Sequence, residues 1–136
     1  MTSITIYHNP LCGTSRNVLA LIRNIGQEPK IIEYLQTPPT LEKLRELIVQ
    51  SGLSVREIMR EKEANPAELA LDDEALLLAM LARPILINRP IVVTTLGTRL
   101  CRPSERVLDI LPLPQHAALT KEDGQKLVDA SGKRIL

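Results

Sequence analysis

An α/β domain with a small mixed sheet and helices on its faces is the fold this sequence predicts, and three observations predict it. A β-branched run at the N-terminus, "SITIYHNP", gives way at once to the helical period of "SRNVLALIRNIG". A second short apolar run, "PKIIEYL", follows that helix. After a long helical stretch the chain returns to strand-forming residues in "RPIVVTTLGTRLCRP".

Taken in order, Ser3 to Tyr7 alternates and is stopped by Asn9-Pro10, so it reads as a strand. Val18, Leu19, Leu21, Ile22 and Ile25 then recur at helical spacing, with Gly26 as the stop. The "PKIIEYL" strand ends in the Thr37-Pro38-Pro39-Thr40 punctuation. This opens the helix "LEKLRELIVQSG", whose Leu41, Leu44, Leu47 and Ile48 share one face. Thr40 can cap it, although Lys43 stands where a full capping box needs Glu or Gln. "SVREIMREKEA" reads as a further continuous helix, "PAEL" as a short turn, and "DDEALLLAMLARP" as a helix that ends near Pro84. "RPIVVTTLGTRLCRP" reads as a β-hairpin bent at Leu96-Gly97, and "SERVLDIL" as a helix. The end, "KLVDASGKRIL", suits either a small hairpin around Ser131-Gly132 or a loose extension. The order β-α-β, helical insert, β-β-α is that of the thioredoxin-like class. It implies a single domain over residues 1–111, with a helical insert at about 40–83 between the second and third strands, and a C-terminal extension over 112–136.

Composition narrows the function. The chain has no Phe or Trp and two Tyr, so it lacks aromatic platforms for single-stranded nucleic acid. With 17 basic and 16 acidic residues it has no broad electrostatic footprint for nucleic acid or a membrane surface, and any anion site must be local. No apolar run approaches the roughly 20 residues of a membrane span, and the N-terminus lacks the pattern of a secretory signal. Cys12 and Cys101 form no disulfide framework and no metal-ligand spacing, so a cytoplasmic setting and no metal are expected.

The chemistry gathers at "YHNPLCGTSRN". A strand that stops just before a glycine-containing turn and a helix places Cys12 at a helix N-terminus. There free N–H groups and the helix dipole favour thiolate, which is the nucleophilic form. The N–H groups of Gly13, Thr14, Ser15 and Arg16 can wrap an oxyanion, and a protonated His8 would add positive charge. On residues alone, a small buried Cys12 at an ordinary helix start stays open. Cys12 and Ser15 form C-x-x-S, so no resolving cysteine is adjacent and an outside thiol is required; Cys101 reads as structural. Arg83, Arg89 and Arg102 each precede proline, which restricts the backbone and suits bidentate capture of an oxyanion, yet spacing does not choose among them.

"ITIYHNPLCGTSRN", "LINRPIVVTTLGTRLCRPSE" and "TKEDGQKLVDASGKR" resemble the glutaredoxin-coupled arsenate reductases of thioredoxin fold. The resemblance runs from Ile4 to Arg134 and is weakest between Glu61 and Leu81, where this chain is several residues shorter. It implies an arsenate reductase acting in arsenic detoxification through a Cys12–arsenic covalent intermediate. Arsenate is then the substrate, glutathione the co-substrate and glutaredoxin the protein partner, with no tightly bound cofactor. Cys12 becomes the nucleophile, His8 the residue that helps activate it, and Ser15 a supporting hydroxyl. Arg60, Arg89 and Arg102 become the oxyanion-binding arginines, while Arg83 returns to the surface. Arg89-Pro90 becomes the candidate cis bond. Two other activities fit the same fold, a glutathione-dependent thiol/disulfide reductase and a non-enzymatic redox regulator. The former has no use for several guanidiniums, and the latter generally needs the C-x-x-C that Ser15 interrupts.

Overall fold

The computed structural model describes residues 3–136. Four strands form the main sheet: β1 (Thr5–His8), β2 (Lys30–Glu33), β3 (Ile91–Thr94) and β4 (Gly97–Leu100), in the order β2-β1-β3-β4. β1 pairs parallel with β2, with Ile6 opposite Ile31, and antiparallel with β3, with Ile6 opposite Val92. The β1–β2 connection is α1 (Gly13–Arg23), and β3 and β4 form the predicted hairpin, but its turn is Thr95-Leu96 rather than Leu96-Gly97, because Gly97 already pairs with Thr94 as the first residue of β4. This is the thioredoxin-like arrangement that the element order predicts.

Side chains alternate across a strand, so each strand feeds two cores. Ile4 and Ile6 of the β1 segment and Val92 of β3 face α1, where Val18, Leu21 and Ile22 are buried with Val107 and Leu127. Tyr7 and Ile91 point the other way, into a core built with α2 (Leu41–Ser51) and α5 (Asp73–Ala82). Leu44, Leu47, Leu76 and Met80 fill that second core together with Tyr34.

Local signals explain most boundaries. Thr40 Oγ1 accepts the Lys43 N–H at 3.1 Å, and Gly52 closes α2 at a φ of 75°, a left-handed value that favours glycine. Asp72 caps α5, with Asp73 and Glu74 in its first turn where the dipole favours them. "PAEL", read as a turn, is one turn of helix, α4 (Pro66–Leu69), begun by an Asn65–Glu68 capping box.

The predicted continuous helix over "SVREIMREKEA" is not formed. A Ser54–Glu57 capping box starts α3 (Val55–Ile58), but at Met59 the backbone turns extended and pairs with Ile87. Arg60 N–H donates to Leu86 O at 2.7 Å and Asn88 N–H to Ile58 O at 2.8 Å, so tertiary pairing overrides helix propensity at this point. The "SERVLDIL" helix is likewise a 3-10 segment, Ser104–Ile110. Beyond it, β5 (Leu119–Thr120) and β6 (Lys126–Val128) pair antiparallel, and Leu127 and Val128 are buried against α1. Of the two readings of the C-terminal end, the hairpin is the one formed. The Asp129 carboxylate accepts the Ser131 and Lys133 N–H groups, and a Cβ on Gly132 would collide with Gln115 O. Among the described residues no helix is long and apolar enough to cross a membrane.

Candidate active site

The turn after β1 delivers Cys12 to the helix start. Asn9 Oδ1 accepts the Leu11 N–H at 3.0 Å, and Asn9 O accepts the Cys12 N–H at 3.0 Å. Cys12 is the N-cap of α1, and its carbonyl accepts the Arg16 N–H at 3.0 Å. The N–H groups of Gly13, Thr14 and Ser15 precede the first intrahelical bond and are the donors left at this end. Arg16 is not among them, which corrects the four-donor expectation.

The half-buried Cys12 sulfur feels opposing effects. Burial pushes its thiol up, but the Ser15 N–H, hydrogen bonds from Arg102 and Arg89, and the Arg102 charge outweigh it. The net result lies below the ordinary thiol value, which favours thiolate. Arg102 Nη1 stands 3.6 Å from Sγ and also donates to Arg89 O at 3.1 Å, which fixes the guanidinium between the two.

His8 and Ser15 are both buried and meet each other, with His8 Nδ1 and Ser15 Oγ 2.6 Å apart; Ser15 Oγ also accepts the Asn9 N–H at 3.1 Å. Burial lowers the His8 pKa, and the Arg23 and Arg16 charges lower it further against a raising effect from Glu33. His8 is therefore uncharged near neutral pH. The positive field at Cys12 comes from the arginines and the helix start, while the His8–Ser15 pair ties the end of β1 to the first turn of α1.

Arg60, Arg89 and Arg102 come together although they are far apart in sequence. Arg60 is carried by the Met59–Ile87 bridge, and its Nη1 donates to Asn88 Oδ1 at 3.4 Å. Arg89, only 7% exposed, sits at the entry to β3, and Arg102 follows β4; the Arg89-Pro90 and Arg102-Pro103 bonds are both cis. The Arg60 pKa is lowered, first by burial and then by the charges of Arg89 and Arg102. None of the ion pairs among the described residues uses any of the three. The buried Nε atoms of Arg60 and Arg89 have no hydrogen-bond partner. Like charges gathered with no carboxylate in salt-bridge contact, and with donors left open, suit an anion.

Arg16, the other predicted oxyanion ligand, is committed elsewhere. Its Nε and Nη2 each donate to Glu122 at 2.8 Å and its Nη1 to Pro10 O at 2.8 Å. Arg83 is held by Glu68 and by Glu63 O in the helical insert. Burial drives the Cys101 thiol up to about 12, and its nearest partner is Arg99 O at 3.5 Å.

Two residues escaped the sequence reading. Asn88 Oδ1 accepts both from Arg60 Nη1 and, at 3.1 Å, from the Arg89 N–H, so one amide aligns two arginines. Its position inside Asn-Arg-Pro was the available signal. Tyr34 is fully buried, donates to Ile87 O at 3.1 Å, and lies near Arg89 and Cys12, whose charges act on it. Burial takes its hydroxyl to about 12, so it stays a neutral donor. Its scarcity, one of two aromatics in the chain, was the only hint.

The sequence profile of the ArsC family matches residues 7–110. The chain belongs to the ArsC family. Among relatives of this ArsC protein, the arsenate reductase of Yersinia enterocolitica is 60% identical and that of Escherichia coli (strain K12) 59% identical, each over 99% of both chains. In the solved structure of the arsenate reductase from Vibrio cholerae, 48% of aligned residues are identical at a TM-score of 0.75. The alignment covers 81% of this ArsC chain and 98% of that one.

Proposed function

We propose that this ArsC-family protein is an arsenate reductase in which Cys12 is the nucleophile and arsenate is held by Arg60, Arg89, Arg102 and the first-turn N–H groups of α1. The observation that carries the reading is the convergence of three guanidiniums without carboxylate partners on a half-buried sulfur, Arg102 Nη1 being 3.6 Å from Sγ. A tetrahedral oxyanion fits donors arranged in this way. The names carried by the relatives point to the same substrate.

The Cys12 thiolate attacks As(V). A sulfur–arsenic bond forms, an arsenic–oxygen bond breaks, and the departing oxygen takes up protons as water. The guanidiniums stabilise the charge that develops on the remaining oxygens. Cys12 is followed three residues later by Ser15 rather than by a second cysteine, so the reducing electrons come from outside thiols. Glutathione condenses on the arsenic with loss of a second water. A glutaredoxin thiolate then attacks the glutathione sulfur and carries it off as a mixed disulfide, leaving the bonding pair on arsenic as As(III). Hydrolysis of the Cys12–arsenic bond releases arsenite. Such chemistry belongs in the thiol-reducing cytoplasm. The test is arsenate-dependent NADPH oxidation coupled through glutathione, glutaredoxin and glutathione reductase. Activity that requires arsenate and is lost in Cys12→Ser supports the reading; disulfide reduction without arsenate dependence would replace it with a thiol reductase.

A further inference from the structure

We propose that glutathione binds in the cleft that runs from Arg102 past Arg60 to Lys62, an assignment that rests on the reductase reading above. Arg60 and Arg102 line an open cleft of about 520 Å³ together with Arg56, Glu57, Glu61 and Lys62. A tetrahedral oxyanion held between the arginines and Cys12 is much smaller than this cleft and leaves most of it free. The free part carries both signs of charge. Among the described residues, neither the Glu61 carboxylate nor the Lys62 ammonium has an ion-pair or side-chain hydrogen-bond partner. The Arg56 guanidinium donates to the Leu69 and Leu71 carbonyls, which are neutral and leave its charge uncompensated.

The chemistry of the reductant matches that lining. Glutathione near neutral pH is a short peptide with two carboxylates and one ammonium, which suit the Arg56 and Lys62 cations and the Glu61 anion, the second carboxylate of the cleft, Glu57, being taken up by the Ser54 N–H. Its thiol has to meet arsenic on the Cys12 sulfur, and this cleft shares the Arg102 guanidinium with that sulfur. The groove on the other side of the cysteine loop, about 590 Å³ along α1, is larger but lacks these features. Its arginines are engaged, Arg16 with Glu122 and Arg23 with Glu28, and Leu19, Ala20 and Leu119 make up much of the remaining wall.

The deciding experiment pairs steady-state kinetics of Lys62→Gln and Lys62→Arg with amide NMR of the wild-type protein titrated with S-methylglutathione, whose blocked thiol reports binding without turnover. The expected result is a glutathione KM raised about tenfold in Lys62→Gln, the loss of one charge-assisted contact. The arsenate KM should move far less, Lys62→Arg should restore most of the glutathione KM, and the NMR shifts should centre on residues 56–62. Equal changes in both KM values, no change in either, or shifts centred on 19–24 would overturn the assignment. A wild-type protein that reduces no arsenate overturns the reductase reading instead, and the NMR footprint then decides the cleft by itself.

Discussion

Cys12 and Cys101 lose solvent to different degrees and end with opposite chemistry. In both, burial is the leading influence and pushes the thiol up. At Cys101, carried just past the end of β4, little opposes it, and the sulfur remains a thiol with a value of about 12. At Cys12 the Ser15 N–H, Arg102 and Arg89 reverse the balance. The two sites are also neighbours of a kind, because the residue after Cys101 supplies the guanidinium at Cys12. A buried sulfur is thus made reactive by directed donors and charge rather than by exposure.

Exchange of the two thiols tests that contrast most severely. Cys12→Ser should abolish arsenate turnover. Cys101→Ala should keep it and lose about 1 kcal/mol of folding stability to the small cavity, read by urea unfolding. Iodoacetamide labelling as pH is raised provides the sign: a lowered pKa means the thiolate fraction of Cys12, and so its rate, levels off at lower pH than for a free thiol. Cys101 should label only on unfolding. Labelling of Cys101 at the Cys12 rate in the folded protein would break the comparison.

Arg102→Gln comes next in size. It removes a hydrogen bond and a positive charge from the sulfur, so the Cys12 labelling profile should move to higher pH and kcat/KM for arsenate fall by about 10²-fold. An unmoved profile would mean that the helix start alone sets the thiol. Asn88→Ala should act more gently, raising the arsenate KM by about tenfold or less through looser placement of Arg60 and Arg89, with the Cys12 profile little changed. Glu122→Gln should have the smallest effect: its bond to Arg16 is exposed to water, and neither melting temperature nor turnover should change measurably.

Features set by local chemistry could be read from the sequence. The strand–turn–helix around Cys12, the Thr40 cap, the β3–β4 hairpin and the helix over Asp73–Ala82 all depend on neighbours a few positions away. What could not be read depends on distant partners. Nothing near Met59 shows that Ile87 will break its helix, and nothing near Arg16 shows that Glu122, 106 positions later, will occupy its guanidinium. The neutral state of His8 likewise follows from burial and from arginines on another element. Arg60, Arg89 and Arg102 were singled out by family resemblance, and the shared Asn88 amide emerged only once their backbones were in place.

The Met59–Ile87 bridge has a consequence for how such a chain can diverge. Ile58 to Arg60 and Leu86 to Asn88 form the two sides of one short ladder, so the excursion between them departs from and returns to the same rung. Residues can be added to or deleted from that excursion without shifting the arginines at its base. The stretch from Glu61 to Leu81, where the sequence reading expects this chain to be shorter than the pattern it resembles, lies wholly inside the excursion. Length can drift there because the chemistry is anchored before the wandering begins.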